Sequence, residues 1–336
     1  MRSDRILLAH GSGGTMMKEL IEEVFVAGFG DEILLRMDDA AALDFPGSRL
    51  AFSTDTYTVS PLFFPGGDIG RLAVCGTVND VATSGARPLY LSVGFVLEEG
   101  MPVDDLRRIL VSMHDAAAEA GVRIVTGDTK VVERGHGDGV YINTAGIGVL
   151  PEGVDLSGSH CRADDVVLLS GTLGDHGIAV VSTREGLSFS TDIRSDAAPL
   201  NHLVAAVLDA APGVRCFRDP TRGGLASTLN ELAGASGVCI TVDETSVPVR
   251  EQVRGASEML GYDVFQVANE GKMVAVVPAE QAEAALAAMK TAPYGEDAAV
   301  VGEVTASPAG KVYVRTGFGA TRIMDMLVGE QLPRIC

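Results

Sequence analysis

Five short acidic segments constrain the fold of this 336-residue chain more than any other feature of its sequence. Each segment stands at the end of an apolar run or among small residues, with glycine or a hydroxyl residue nearby. The acids are Asp39, Asp55, Asp80, Asp128 and Asp219. Carboxylates at strand ends and in glycine-lined turns can converge on one point, and Mg²⁺ is usually held by a few carboxylates, phosphate oxygens and waters. Each acid alone could equally cap a helix or close a turn.

The apolar pattern between these segments predicts two mixed α and β domains, which is the number that a chain of this length favours. The first half alternates strands with helices, and its predicted helices cover 15–28, 69–84 and 102–121. Its predicted strands cover 50–54, 89–97 and 140–150, with a further strand around Ile124. The second half predicts helices near 176–186, 199–210, 222–235, 249–260 and 279–290. It predicts strands near 166–170, 214–217, 238–243, 264–268, 273–277, 298–304 and 311–315.

The turn-rich segment PEGVDLSGSH predicts the boundary between the two halves. We therefore expect an N-terminal domain over 1–152 and a C-terminal domain over 153–315. The order of elements in the second half does not require a doubly wound sheet. Residues 316–336 contain several glycines and predict a mobile tail, in which Pro333 limits the freedom of the last residues.

Charge and cysteine content exclude several classes of function. The net charge of −19 repels phosphate backbones, so nucleic acid is not an expected partner. No apolar run is long enough to span a bilayer, and the N-terminal apolar stretch is too short for a signal peptide, so we predict a cytoplasmic protein and no membrane contact. The five cysteines lack metal-ligand spacing, and their odd number argues against a disulfide framework. Cys336 differs from the other four because it is the last residue.

Three further segments carry residues that could act in chemistry. HGSGGTMM opens a helix, and the backbone N–H groups of Gly11, Gly13 and Gly14 could hold a phosphate there. His10, beside them, could equally be a structural hydrogen-bonding residue. Glu270 lies in VANEGKM between a strand and a glycine turn, and Lys130 follows Asp128 in VTGDTK. Either of the two could act as a base if it is buried, although both could also be exposed turn or strand residues.

The acidic segments together resemble the superfamily that includes aminoimidazole ribonucleotide synthetase, thiamine monophosphate kinase and selenophosphate synthetase. The resemblance rests on MDDAA, STD, GRLAVCGTVNDVATSGARP, VTGDT and DPTRGGL, which occur in that order over more than half of the chain. It implies a PurM-like architecture with an N-terminal α/β dimerisation domain and a C-terminal α+β domain. It also implies ATP as cofactor with Mg²⁺ held by Asp39, Asp55, Asp80 and Asp219, and with Asn79 and Asp128 nearby in the nucleotide site.

The two ends of the chain narrow this resemblance. ILLAHGSGG at the start and LPRIC at the end are similar to the HypE family of hydrogenase maturation factors. Membership would imply that Cys336 receives a carbamoyl group from the carbamoyltransferase HypF. ATP-dependent dehydration would turn this S-carboxamide into a thiocyanate, which supplies the cyanide ligand of nickel–iron hydrogenases through the HypC–HypD complex. The resemblance further implies a homodimer.

By the same resemblance, Glu270 and Lys130 share the base chemistry, and the sequence leaves their division of labour open. The thiol of Cys336 is expected to have a raised pKa because the α-carboxylate lies beside it. Two alternatives remain open. One is a small-molecule kinase or synthetase of the same superfamily, in which Cys336 is incidental, and the other is a scaffold without catalysis whose tail docks into the HypC–HypD complex.

Overall fold

The structure of the chain, a computed structural model, describes residues 4–11, 15–33, 45–47, 49–187, 192–326, 332 and 334–336. These residues form two mixed sheets with helices packed against them, as the sequence predicts. Asp39, Gly13 and Gly14 of the predicted nucleotide site lie outside the described residues. Among the helices that the structure describes, none has the length and apolar character that a bilayer crossing requires.

The N-terminal domain is built around a four-stranded sheet in the order β1-β6-β4-β5. Its strands are β1 (Leu50–Tyr57), β4 (Arg87–Glu98), β5 (Arg123–Val132) and β6 (Val140–Val149), and β2 (Phe63–Phe64) and β3 (Gly67–Asp68) form a separate small hairpin. β4 and β5 are parallel and the other neighbours antiparallel. Two long helices, α3 (Ile69–Thr83) and α4 (Val103–Ala120), follow β3 and β4. The inner face of the sheet is the one that packs against α3.

Local signals explain where these helices begin and end. The Asp68 carboxylate accepts hydrogen bonds from the amides of Gly70 and Arg71 and so caps the first turn of α3. α4 begins after Pro102 and ends at Gly121, which adopts a left-handed conformation. Small residues let α3 lie close to the sheet, because a Cβ at Gly146 would meet the Thr77 side chain at 2.9 Å. Almost the whole of α3 is therefore buried.

The C-terminal domain contains a seven-stranded sheet in the order β13-β12-β9-β11-β7-β10-β8. Apolar cores cover both of its faces, with Leu225 and Leu229 on one side and Leu203 and Met289 on the other. The strands are β7 (Asp165–Leu169), β8 (Cys216–Arg218), β9 (Cys239–Asp243), β10 (Val274–Pro278), β11 (Ala299–Thr305), β12 (Lys311–Arg315) and β13 (Thr321–Ile323). The helices are α5 (Asp175–Arg184), α6 (Asn201–Ala210), α7 (Gly224–Ser236), α8 (Glu251–Leu260) and α9 (Ala282–Thr291).

Three local predictions need correction. The strand predicted near 264–268 is a 3-10 turn at Val264–Gln266, because Asp263 accepts a hydrogen bond from the Phe265 amide and starts a turn instead. The helix predicted over 15–28 comprises α1 (Thr15–Leu20), a π-helical segment Ile21–Val26 and α2 (Ala27–Phe29). The predicted tail begins too early, because β13 pairs with β12 and extends the sheet beyond Arg315.

The last described residues are docked on the body of the protein. Leu332 and Ile335 are buried in the N-terminal core, which also includes Ile178 and Val180 of α5. This arrangement brings Cys336 to the junction of the two domains. The predicted mobility of the tail requires that it also leaves this position, and that movement stays a prediction.

Candidate active site

A cavity of about 430 Å³ lies at the domain junction and gathers most of the residues that the sequence singles out. β1 contributes Asp55 and α3 contributes Asp80. The C-terminal domain contributes Asp219, directly after β8, and Glu270, shortly before β10. The tail contributes Cys336. Four distant segments of the chain therefore meet around one space with the last residue.

Glycines and amide side chains hold these segments together. Gly224 adopts a φ of +58°, and a Cβ there would lie 2.6 Å from the carbonyl oxygens of Phe265 and Val267. This close approach fixes the turn after Asp219 against the segment before Glu270. Asn269 strengthens the contact, because its side-chain nitrogen donates to the Pro220 carbonyl at 2.9 Å.

The carboxylates of the cavity perturb one another. Burial raises the pKa of Asp219 to about 7, and the negative charge of Asp80 adds to the effect. Burial and the charge of Asp55 also raise the pKa of Asp80, whose carboxylate accepts a hydrogen bond from Ser53 at 2.9 Å. Shared negative charge in a desolvated space favours protons or cations. Within the described ranges, no three acidic, His or Cys side chains form a preorganised metal cluster.

Glu270 and Cys336 form the other half of the cavity and influence each other directly. Burial raises the pKa of Glu270 well above its usual range, and the neighbouring Asp219 raises it further. Burial also raises the pKa of the Cys336 thiol, and the Glu270 carboxylate contributes the next largest increase. The expected direction for Cys336 is thus found, but burial and Glu270 cause it rather than the α-carboxylate. Cys336 is half-buried, and its raised pKa disfavours the reactive thiolate form.

A network that the sequence did not reveal positions Glu270. Asp196 is buried, accepts a hydrogen bond from the Glu270 amide at 3.0 Å and pairs with Lys272 at 3.1 Å. Although burial opposes its charge, Lys272 and His176 hold the pKa of Asp196 below its ordinary value. Asp196 lies in RSDAAPL, which is an irregular segment without periodicity, so only its small, apolar neighbours hinted that it is buried.

The tail is bound mainly through its backbone. The amides of Thr58 and Ser60 donate to the carbonyls of Cys336 and Arg334 at 3.3 and 3.1 Å. His176, which is fully buried, bonds through Nε2 to the Ile335 carbonyl at 2.8 Å and through Nδ1 to the Ser195 hydroxyl at 2.8 Å. Arg334 itself pairs with Asp138 at 2.6 Å. The sequence offered no sign of His176, because a single histidine in SGTLGDHG follows no pattern that requires a buried contact.

Four predicted site residues lie elsewhere. Asp128 and Lys130 pair with each other at 2.9 Å on the exposed face of β5, opposite to the face that α3 covers. Lys130 is 64% exposed, so one chain does not bring it to Glu270 and Cys336. Asn79 is buried behind the cavity lining, where it accepts a hydrogen bond from the Leu200 amide and donates to the carbonyls of Ala198 and Glu270. Gly11 ends the 3-10 helix Leu8–Gly11.

His10 is also buried at a distance from the cavity, in the 3-10 helix Leu8–Gly11. Its Nδ1 accepts a hydrogen bond from the Leu7 amide at 3.0 Å, and burial lowers the pKa of its imidazole. This geometry agrees with the structural alternative for His10. Nothing in the described residues places it near Cys336.

Comparison with known proteins decides the family. Residues 37–150 match the N-terminal domain of AIR synthase related proteins, and residues 162–315 match the C-terminal domain. Carbamoyl dehydratase HypE of Azotobacter vinelandii is 55% identical over 336 residues, which cover 100% of this chain and 98% of the relative. The chain belongs to the HypE family. The predicted PurM-like fold and the prediction of an enzyme of hydrogenase maturation are thereby confirmed.

Two solved structures extend the comparison. A HypE in complex with ATP is 52% identical and superimposes with a TM-score of 0.95, covering 98% of this chain and 99% of that one. The structure of a HypE–HypF complex includes a chain that is 51% identical, with a TM-score of 0.81 and coverage of 92% and 99%. The HypE fold seen in these structures therefore extends over nearly all of this chain.

Proposed function

We propose that this HypE chain carries a carbamoyl group on Cys336 and dehydrates it to a thiocyanate with ATP. The observation that carries the proposal is that Cys336 and Glu270 line one cavity together with Asp55, Asp80 and Asp219. A free thiol has no use for a base and several cation-binding carboxylates around it. An S-carboxamide needs both, because its oxygen is a poor leaving group until a phosphoryl group is attached to it.

The cavity favours a nucleotide accompanied by cations. Its lining contains two guanidinium groups, Arg218 and Arg222, against five carboxylates. A polyphosphate would be repelled by this balance, and the relative solved with ATP argues that a nucleotide is nevertheless bound. Mg²⁺ held by Asp55, Asp80 and Asp219 would remove the conflict, because hard oxygen ligands and phosphate oxygens suit that ion. When bound, Mg²⁺ offsets the negative charge that develops during phosphoryl transfer.

Glu270 is the base that the geometry favours. The amide oxygen attacks the γ-phosphorus of ATP, the bond to the bridging oxygen breaks and ADP leaves, while one N–H proton is lost. Loss of the second N–H proton then breaks the C–O bond, which releases phosphate and leaves S–C≡N. The raised pKa of Glu270 makes its ionised carboxylate a stronger base than that of an ordinary glutamate.

Lys130 can share this work only if a second copy supplies it. The exposed face of the N-terminal sheet carries Lys130 and also large apolar side chains, of which Phe52 is 66% and Leu50 55% exposed. Such a face is suited to pairing with another copy of itself. We therefore retain the homodimer as a proposal and assign Lys130 to the interface. HypF as a partner is supported by the solved HypE–HypF complex. Its role as donor of the carbamoyl group and HypC–HypD as the cyanide acceptor follow the family resemblance.

The intact mass of the chain tests this function. After incubation with the carbamoyltransferase, carbamoyl phosphate and ATP, we expect first a carbamoyl adduct and then a species lighter by one water. Cys336→Ala, the matched control, should show neither adduct while it still binds ATP.

Three outcomes would contradict the proposal. An adduct on the control variant would show that another residue is the carrier. ADP release with a small metabolite and unmodified Cys336 would favour the kinase alternative. A carbamoylated protein that never hydrolyses ATP would favour the scaffold.

A further inference from the structure

Two polar atoms in the cavity have no partner although both are buried. Among the described side chains, the Tyr57 hydroxyl and Glu270 Oε1 make no hydrogen bond. Tyr57 is 2% and Glu270 4% exposed, and both line the cavity beside Cys336. Unsatisfied buried polar groups are rare in folded proteins, because their desolvation is not compensated. Two such atoms around one thiol point to a ligand that supplies the missing bonds.

The backbone and α3 hold the Tyr57 hydroxyl in place. Tyr57 ends β1 opposite Ile142, and a Cβ added to Gly76 of α3 would lie 2.1 Å from the hydroxyl oxygen. Only glycine leaves room for the phenol at this point. The Thr77 hydroxyl lies close enough to act on the pKa of the phenol, but it is engaged with the Thr144 hydroxyl at 2.6 Å and makes no hydrogen bond of good geometry with Tyr57. The phenol is thus tightly packed while its oxygen keeps capacity for a further hydrogen bond.

The charge state of Tyr57 limits what it can do. Burial raises the pKa of its phenol well above the usual range, and the carboxylates of Asp55 and Glu270 raise it further. Tyr57 therefore stays protonated at neutral pH and is not a base. Its oxygen can still accept one hydrogen bond, and its O–H can donate one.

We propose that Tyr57 contacts the substrate: its oxygen accepts one N–H of the carbamoyl group on Cys336 while Glu270 accepts the other. This inference rests on the function proposed above. A primary amide carries two N–H bonds on one nitrogen, which matches two fixed acceptors on the walls of one cavity. The N–H bound by Glu270 is the one removed first, and Tyr57 neither gains nor loses a proton in the step.

The pair of acceptors also explains how the amide is oriented. The oxygen and NH₂ ends of a primary amide have nearly the same size, so shape alone cannot tell them apart. The ionised Glu270 carboxylate can only accept hydrogen bonds, so it pairs with the NH₂ end and repels the lone pairs of the amide oxygen. Tyr57 accepts the second N–H and adds to the preference for this pose. In the correct pose, the oxygen is free to attack the γ-phosphate. This orientation accelerates phosphoryl transfer because misplaced reactants rarely react.

Tyr57→Phe tests the proposal in the full-length chain with the carbamoyltransferase present. It keeps the ring and removes only the oxygen, so one N–H is left unpaired. We expect normal carbamoylation and an unchanged KM for ATP, with a dehydration rate lower by roughly tenfold to a hundredfold. Tyr262→Phe removes a hydroxyl outside the cavity and is the matched control, with wild-type rates expected. A Tyr57→Phe protein that folds and dehydrates like wild type would overturn the proposal.

A second measurement does not depend on turnover. Carbamoylated protein, freed of ATP, should have a higher Tm than unloaded protein because both acceptors then have donors, and Tyr57→Phe should reduce this gain. An equal gain in both proteins would also overturn the proposal. If the wild-type protein accepts the carbamoyl group but never dehydrates it, the proposed function fails. The difference between wild type and Tyr57→Phe in the Tm gain on carbamoylation would still report on the contact of Tyr57 with the carbamoyl group.

Gly76→Ala separates packing from chemistry. The added Cβ collides with the hydroxyl, so this variant should be less stable and dehydrate slowly. Combining it with Tyr57→Phe removes the colliding oxygen and should restore much of the Tm but none of the rate. A double variant that recovers the rate together with the Tm would show that Tyr57 acts through packing only.

Discussion

The two faces of the N-terminal sheet carry similar residue types but place them in opposite environments, one buried and one exposed. On the inner face, Asp55 points towards α3 and meets Asp80 in a desolvated cavity. On the outer face, Asp128 meets Lys130 in water, and the lysine lowers the pKa of the aspartate. Because the inner acids are buried among like charges, they favour a bound cation. The outer aspartate already has a lysine partner, and such an exposed ion pair contributes little to stability. The side of the strand on which a residue falls therefore matters more than its motif.

The largest effect is expected from Glu270→Gln, which tests whether the inner face holds the base. The change keeps the shape and removes the proton acceptor, so dehydration should slow by roughly 10²–10⁴. ATP affinity and carbamoylation should stay normal. Single-turnover mass spectrometry of the loaded protein measures the rate, and thiocyanate formation at the wild-type rate would remove Glu270 from this role.

Asp80→Asn and Asp219→Asn test whether the inner carboxylates hold the cation. Each removes a charge that offsets Mg·ATP, and affinity measured by calorimetry should fall by about a hundredfold or more. Asp104→Asn removes an exposed carboxylate of α4 outside the cavity and is the matched control, so affinity should stay unchanged. If the cavity variants and this control bind Mg·ATP equally well, the inner carboxylates do not hold the cation.

Asp219 also predicts a pH dependence. Its pKa of about 7 exceeds the ordinary value of 3.8, so the neutral form contributes stability that is fully present below pH 3.8 and lost as the pH rises through 7. Cation binding needs the ionised form. The affinity for Mg·ATP should therefore fall by up to about tenfold per pH unit below 7, with proton release on binding. Asp219→Asn should raise the Tm of the unloaded chain at pH 8, and a lowered Tm there would contradict the raised pKa.

Mixing two inactive variants tests whether the outer face serves a second chain. In the proposed dimer, each site takes Glu270 from one chain and Lys130 from the other. A dimer of one Lys130→Ala chain and one Glu270→Gln chain therefore keeps one site in which both residues are wild type. If half of the dimers are mixed, activity should return to about a quarter of wild type for a symmetric pair. No recovery, with mixed dimers confirmed by native mass spectrometry, would place Lys130 outside the reaction.

The smallest effect is expected from Arg334→Ala. Its side chain is half-exposed where it pairs with Asp138, and such pairs contribute about 0.2–1 kcal/mol, so tail docking should weaken only about two- to fivefold. Alkylation of Cys336 by a thiol reagent should accelerate by the same factor. An acceleration of a hundredfold would show that this pair, rather than the backbone contacts, holds the tail.

Much of this architecture could be predicted from the sequence because each strand and helix is marked locally. Asp68 and Gly121 delimit the long helices, and the alternation in β1 and β6 marks their buried face. The acids of the cavity were found because they follow apolar runs or lie among small residues, with glycine or a hydroxyl residue nearby. The positions of Asp128 and Lys130 were missed because two residues in one strand share a face, and sequence spacing does not tell which face is covered.

Residues whose partners lie far away in the chain could not be predicted from the sequence either. Asp196 and His176 gain their roles from partners far along the chain, and no local pattern of residues indicates those partners. Tyr57 lies beyond the strand predicted over 50–54, and nothing in its sequence context marks it. Its unsatisfied hydroxyl and the space that Gly76 leaves for it are features of the three-dimensional structure.

The docked tail has a consequence for how ATP is conserved. Backbone contacts at Thr58, Ser60 and His176 hold the Cys336 thiol inside the cavity even when it carries nothing. In the proposed reaction, an unloaded thiol offers no amide oxygen to phosphorylate, and the docked residue fills part of the cavity that water would otherwise occupy. We expect the resting enzyme to waste little ATP, and truncation before Ile335 to increase uncoupled hydrolysis.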